Sequence, residues 1–446
     1  MSPDMGPVAR AGPDLVIVRR NRPPIQSPWD GRPTGGCEYY DPMSDSTIHS
    51  GLSTGYRTWS EVSVPLRTGP FRVATKPGVA WHGDIDAAAV LLAEHARIAS
   101  GDVVFVFNCG NGLAAAGALR ADPARVLLSD RNIVAVEAAR RTLAGFGAGA
   151  RAEVFAAHGA RSFPSDVAAD VALIRIPKDR ASLLVLISDA FTRLRVGGRC
   201  YLAGGNGEGV KSAARALGEV FGRVETIAHG SGCRVALAVK RDAGAGEIES
   251  AGEAFTVVSA VVRGEPLTLY SLPGVFSREH ADEATLLLAD TMQIADGDSV
   301  LDLGCGFGAL GIAAALQTPS GRVVMVDADV EAVRCAAYGA RAAGLSNVTV
   351  LASDVASAVI DQRFDVVVTN PPFHTGKATD LAVPLQFIAD AFAVLRPGGR
   401  LYLVANRTLP YERALRSTFG GFEVIRDTPR FKILRTTLRS VGVDPS

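Results

Sequence analysis

Four consecutive residues, Asn370-Pro371-Pro372-Phe373, carry the most chemistry in this 446-residue chain. They close an apolar run of strand type, Val366-Val367-Val368, within the stretch DVVVTNPPFH at 365–374. Two prolines cannot continue a central strand or enter a helix interior, so the chain must leave the sheet here in a stiff, extended turn. That turn presents one amide, carbonyls without neighbouring donors, and one aromatic face. The set suits gripping a planar group that carries an NH2. His374 follows, and reads either as a general base or as a structural histidine that hydrogen-bonds the turn.

A second constellation precedes it. Val300–Gly308 reads VLDLGCGFG: a strand, an acidic residue, then a glycine turn opening a helix near Ala309. Glycines let backbone approach a ligand closely, and a helix N-terminus favours electron-rich groups. A glycine turn alone suits a dinucleotide equally well. Two features favour S-adenosylmethionine: the turn is GxGxG rather than GxGxxG, and Asp302 lies two residues ahead of its first glycine, Gly304. A carboxylate there can face the cationic methionine end. Asp327, followed by Ala328, ends the next strand, where a carboxylate chelates ribose hydroxyls. Asp354, followed by Val355, ends the third strand and can accept from an adenine amino group. The expected cofactor set is Asp302, Gly304, Cys305, Gly306, Asp327, Ala328, Asp354, Val355 and Asn370.

The elements that position these groups alternate strand and helix. Val103–Phe107, Val126–Ser129 and Val171–Ile176 read as strands, with helices over Leu113–Arg120, Ile133–Leu143 and Ala181–Leu194. Such alternation predicts a parallel, doubly wound α/β sheet. The plan then repeats. Pro77-Gly78-Val79 returns as Pro273-Gly274-Val275, Asp86 as Asp282, Gly110 and Gly112 as Gly306 and Gly308, Asp130 as Asp327 and Asp170-Val171 as Asp365-Val366. LRVGGRCYL at 194–202 returns as LRPGGRLYL at 395–403. Chance does not hold a register of about 196 residues so long, so the fold class is two tandem Rossmann-like domains from an internal duplication. The expected divisions are an irregular extension over 1–69, a degenerate domain over 70–240, a Gly/Ala/Glu linker over 241–253 and a catalytic domain over 254–446. Aromatics in the extension (Trp29, Tyr39, Tyr40, Tyr56, Trp59) predict that part of it packs on a neighbouring domain.

The chain resembles the class I S-adenosylmethionine-dependent methyltransferases. Within them it is similar to the tandem-domain ribosomal RNA (guanine-N2) methyltransferases of the small-subunit type. The resemblance covers about 70–440. It rests on LPGVFS at 272–277, DLGCGFG, the NPPFH turn, Val404-Ala405-Asn406 with Leu409-Pro410-Tyr411, and Arg430-Phe431-Lys432. NPPF alone is shared with adenine-N6 and protein-glutamine methyltransferases, and specifies only an amino-group target. The resemblance implies methyl transfer from S-adenosylmethionine to a guanine N2 of 16S rRNA. Asn370, Pro371, Pro372 and Phe373 would be catalytic, with Phe276, Phe373, His374 and Arg407 on the substrate and no metal. Phe276 reads as a lid over cofactor or base, or as a core aromatic. The rivals are an adenine-N6 methyltransferase on RNA or DNA and a non-catalytic RNA-binding or assembly factor.

The first copy has lost this chemistry. Val106 stands in place of Asp302, Asn108 in place of Gly304, and Ile174-Arg175-Ile176-Pro177-Lys178-Asp179 in place of the NPPF turn. It should not methylate. It reads as a substrate-docking or folding support, with Arg175, Lys178 and the 204–211 loop as phosphate contacts, or as a scaffold with solvated basics.

Composition frames these readings. Hydrophobic content of 48% and charge of 21% fit a soluble globular protein, and zero net charge argues against a general nucleic-acid binder. From Val394 onward, however, ten Arg/Lys face four acids, predicting an RNA-facing surface around the second domain. Six cysteines without ligand spacing predict neither zinc nor disulfides. No run reaches a membrane span and no signal sequence opens the chain, so the expected location is cytoplasmic. The chain is expected to be a monomer, and the resemblance implies ribosomal RNA in the small subunit as its partner.

Overall fold

The computed structural model describes residues 55–242, 254–372 and 381–439. Its first half opens with an antiparallel hairpin of β1 (Ser60–Val64) and β2 (Phe71–Thr75). Then follow α1 (Ala87–His95), β3 (Val103–Phe107), α2 (Ala116–Arg120), β4 (Arg125–Asp130), α3 (Ile133–Phe146), β5 (Ala152–Ala156), β6 (Ala169–Arg175), α4 (Arg180–Arg193), β7 (Leu194–Gly205), α5 (Val210–Phe221), β8 (Val224–Gly230) and β9 (Cys233–Val239). The stretch before residue 70 is therefore not wholly irregular. Ser60-Glu61-Val62-Ser63-Val64 is too short to declare itself as a strand until β2 pairs with it.

The second half repeats the plan. It has a hairpin of β10 (Thr256–Val262) and β11 (Glu265–Ser271). Then come α6 (Glu283–Thr291), β12 (Ser299–Leu303), α7 (Ala309–Gln317), β13 (Arg322–Asp327), α8 (Val330–Ala342), β14 (Val348–Ala352), β15 (Phe364–Thr369), α9 (Ala382–Val394), β16 (Leu395–Asn406), α10 (Tyr411–Phe419), β17 (Glu423–Asp427) and β18 (Phe431–Thr437). The two seven-stranded sheets have orders β5-β4-β3-β6-β7-β9-β8 and β14-β13-β12-β15-β16-β18-β17. Each is parallel through its first five strands and antiparallel at the last two. Helices cover both faces of the central strands: β3 reads as an unbroken apolar run and is buried from Val104, and β12 is buried throughout although it carries Ser299 and Asp302. No described helix is long and apolar enough to cross a membrane.

The halves meet where the duplicated chain pairs with itself. Asn132 and Asp329, equivalent positions two residues past the ends of β4 and β13, form an antiparallel bridge. Ile133 N donates to Ala328 O and Val330 N to Arg131 O, both at 2.9 Å. These two bonds are exchanged by the 197-residue offset, so the contact is a local pseudo-twofold. Arg131 breaks the symmetry. Its guanidinium forks onto Asp329 through Nε at 2.8–2.9 Å and reaches Pro273 O.

Candidate active site

The site lies at the C-terminal ends of β12, β13, β14 and β15. The strand order changes direction here, and open α/β sheets leave a crevice at such a point. A cavity of about 520 Å³ opens there. Its floor is the turn after β12, Gly304–Phe307. Gly304 has φ +78°, and a Cβ built on it would lie 2.8 Å from Phe387 Cε1. In the first copy the equivalent Asn108 holds the same left-handed backbone at φ +54°. The conformation is kept, while an amide that bonds Arg175 O stands where the Phe387 ring packs against Gly304.

Asp327 ends β13 and lines the cavity. Its Oδ2 accepts from Gly306 N at 2.8 Å and its Oδ1 from Asp329 N at 2.9 Å. Asp130 does the same in the first copy, toward Gly110 N and Asn132 N. Part of this residue's work is thus to tie the glycine turn to the next strand. Burial, then the charge of Asp329, pushes the Asp327 carboxyl up to about 6. Cys305 and Ala328 also line the cavity, and burial with Asp327 nearby holds the Cys305 thiol well above its usual value. It is a neutral wall, not a nucleophile.

Asp302 does not line the cavity. It is wholly buried under the turn, where Oδ2 accepts from Gly311 N of α7 at 2.8 Å and Oδ1 is without a partner. The sequence places an acid before the glycines but does not show that the helix closes over it. Burial pushes this carboxyl up to about 7, helped by the charge of Asp327. Between about pH 4 and 7 the native protein then holds a proton that the unfolded chain has released. Stability should fall as pH rises through that window, by at most about 1.4 kcal/mol per pH unit, and level off above it. Asp302→Asn should remove the slope between pH 6 and 7, read by urea unfolding at a series of pH values, while the part owed to Asp327 below pH 6 remains.

Asn370 stands just past β15, whose last residue, Thr369, ties back to Leu303 O at 2.7 Å. Asn370 Nδ2 donates to Asp282 Oδ2 at 3.0 Å and to Thr285 Oγ1 at 2.8 Å. Thr285 Oγ1 in turn donates to Asp282, which caps α6. A carboxylate only accepts, so Asp282 fixes which end of the amide faces it. The other end, Oδ1, is buried and has no partner among the described residues. Pro371 and Pro372 continue along the cavity wall. Phe373 and His374 lie outside the described residues.

The remaining expected residues separate. Val355 lines the cavity with Ser353, but the Asp354 carboxylate does not. It accepts from Tyr56 Oη and Lys76 Nζ, each at 2.5 Å. Phe276 stands at the cavity edge, 62% exposed, and so is not a core aromatic. Arg407 lies outside the lining and pairs with Asp427. The basic surface shrinks likewise, because six of its ten cations pair with acids: Arg396, Arg400, Arg407, Arg430, Lys432 and Arg435. Three of those acids, Asp298, Asp365 and Glu283, lie earlier in the chain, where a local charge count does not see them.

Sequence reasoning missed Asp282 and Thr285 as holders of Asn370, and Tyr56, Gly78, Asn132 and Val134 of the first half as cavity walls. The recurrence of Asp86 as Asp282 was the one available signal. In the first copy, Arg175 occupies the place of Asn370. It is 7% exposed, with Nε on Asp86 Oδ2 and Nη2 on Glu208 Oε1, both at 2.8 Å. It therefore offers no free cation to a phosphate, contrary to expectation.

The methyltransferase small domain family model matches the chain twice, over residues 70–236 and 266–435. A ribosomal RNA small subunit methyltransferase C of Klebsiella pneumoniae is 34% identical over 275 residues, 61% of this chain and 78% of that protein. One of Hahella chejuensis is 32% identical over 272 residues, with the same shares. The structure of a T. thermophilus 16S rRNA N2 G1207 methyltransferase in complex with AdoMet and guanosine aligns with a TM-score of 0.73 at 29% identity, covering 87% of this chain and 100% of that one. Matched in both halves, the chain belongs to the methyltransferase small domain family, as a tandem-domain member similar to the ribosomal RNA small subunit methyltransferases C.

Proposed function

We propose that the chain transfers a methyl group from S-adenosylmethionine (AdoMet) to the exocyclic N2 amine of a guanine in 16S rRNA of the small subunit. It acts in the cytoplasm as a monomer. The observation that carries this reading is the Asn370 amide, locked by Asp282 and Thr285 so that its acceptor is buried with no partner among the described residues, next in the chain to Pro371. The resemblance and the relatives' activities support guanine and ribosomal RNA as the target.

The residues present fit AdoMet. The cavity has a volume usual for such ligands. Nothing lies within 4 Å of a Cβ built on Gly306, so a ligand can approach that backbone. Asp327 is placed for a ribose diol, while Asp302 holds the turn from beneath. When bound, AdoMet supplies an electrophilic methyl on a positive sulfur.

An exocyclic guanine amine is a poor nucleophile because its lone pair is conjugated into the ring. Asn370 Oδ1 accepts one N–H and the Pro371 carbonyl the other, which favours the pyramidal amine and turns its lone pair toward the methyl. Positioning then carries most of the rate. The released proton leaves to water. A paired base must first be extruded, and Phe276, exposed at the cavity edge, offers it an aromatic face. The catalytic unit is the second domain, 254–446, and the first, 70–240, does not methylate.

Nucleoside mass spectrometry of rRNA from a deletion strain tests the assignment. Loss of one N2-methylguanosine, restored by the wild-type gene, is expected. Loss of a methyladenosine instead would overturn guanine in favour of adenine.

A further inference from the structure

The Asp354–Ala356 turn of the second copy is held from the first. Val355 lines the cavity at φ +53°, a left-handed backbone that a β-branched residue adopts only under constraint. On one side of it, Asp354 accepts from Tyr56 Oη and from Lys76 Nζ, both at 2.5 Å. The Lys76 side chain is 3% exposed, and its ammonium sits 3.8 Å from the Tyr56 ring centroid. On the other side, Ala356 N donates to Asp390 Oδ2 at 3.0 Å, and Arg57 places two 2.8 Å bonds on the same carboxylate. Two carboxylates of the second copy thus meet three side chains from residues 56–76. Tyr56 is itself part of the cavity wall, with Gly78, Asn132 and Val134.

The duplication supplies an internal control. Lys76 corresponds to Leu272. Asp354 corresponds to His158, since Ser353 N binds Asp327 O as Ala157 N binds Asp130 O. Leu272 and His158 form no charge pair; His158 is buried and bonds Ser182 instead. The Asp390 side of the clamp does recur, as Ala160 N donating to Asp189 Oδ2 at 2.7 Å, so what sets the second copy apart is the bond from Lys76 to Asp354.

Building on the cofactor reading above, we propose that the first half of the chain completes the AdoMet pocket of the second, with Tyr56 and Arg57 just ahead of β1 and Lys76 just after β2 as positioning residues that hold the Asp354–Ala356 turn in its binding form. The turn end of the pocket is where Ser353 and Val355 face the ligand, so releasing Asp354 lets the strained Val355 relax away from it. Affinity for the cofactor is then a joint property of both copies.

The test is calorimetric titration of AdoMet into the full-length protein and three variants, with melting curves taken without ligand. Lys76→Met should raise Kd about tenfold or more, and Tyr56→Phe several-fold, as expected when a charge-assisted bond to a binding turn is lost. Lys76→Arg should return Kd to within about threefold of wild type, since a guanidinium can also pair with Asp354. A purely structural role would lower the melting temperature without this rescue in affinity. Unchanged Kd in Tyr56→Phe and Lys76→Met overturns the clamp. If Lys76→Met gives no cooperative melting, Tyr56→Phe decides alone, because it removes only a hydroxyl. A wild type that takes no AdoMet would sink the cofactor reading and the clamp with it, whereas a binding wild type with unaffected variants sinks the clamp only.

Discussion

Asn370→Ala is expected to lower single-turnover methyl transfer by about a hundred- to thousandfold, while AdoMet affinity changes by less than about threefold. The asymmetry follows from what the side chain does. Its Nδ2 is spent on Asp282 and Thr285, so it has no donor left for a cofactor carboxylate. Its Oδ1 is buried with no partner among the described residues, so a donor such as an amine can satisfy it. Truncation therefore removes an interaction made with the acceptor base, and which strengthens as the amine pyramidalises. The cofactor contacts proposed for the glycine turn and Asp327 are not touched by this substitution. Rapid-quench methylation with calorimetry on the same preparation separates the two quantities. Equal losses in both would assign Asn370 to the cofactor and remove the stated role.

What was legible in the sequence was what depends on neighbours along the chain. Strands such as Val103–Phe107 are apolar throughout because both faces are covered, and the turn that follows Val300–Leu303 has glycine where φ is positive. The repeat was legible because duplication preserves spacing, and Asp130 and Asp327 even make the same two backbone bonds. What was hidden depends on partners far away in sequence. Asn370 is held by a cap 88 residues upstream. Asp354, at a strand end where an adenine contact was expected, is taken by Lys76 from 278 residues away. The basic run after Val394 looked free because Asp298 and Glu283 are not near it in the chain. Spacing reports which residues a strand end presents; only the packed fold reports which of them are already paired.

The same distinction decides whether the first copy can be revived by restoring its amide. Arg175→Asn is expected to destabilise the protein by roughly 3 kcal/mol or more and to create no second AdoMet site, because breaking a buried ion pair leaves charges without partners. Asp86 and Glu208 both point their carboxylates at this guanidinium, and Glu208 is held below the usual carboxylate range by it. An asparagine at 175 reaches at most one of them. In the second copy the corresponding Asp282 is satisfied by Thr285 as well as by Asn370, but the first copy has Ala89 at the position of Thr285, so no hydroxyl is there to share the load. The floor also differs, since Asn108 donates through Nδ2 to Arg175 O, whereas the Phe387 ring packs against Gly304. Guanidinium, cap and floor thus changed together, and reverting one leaves the others mismatched. Urea unfolding should show the loss directly, and titration should give one AdoMet per chain in both proteins. A variant of unchanged stability would mean that the Arg175 pairs contribute little, and a second binding event would mean that the amide alone separates the two copies.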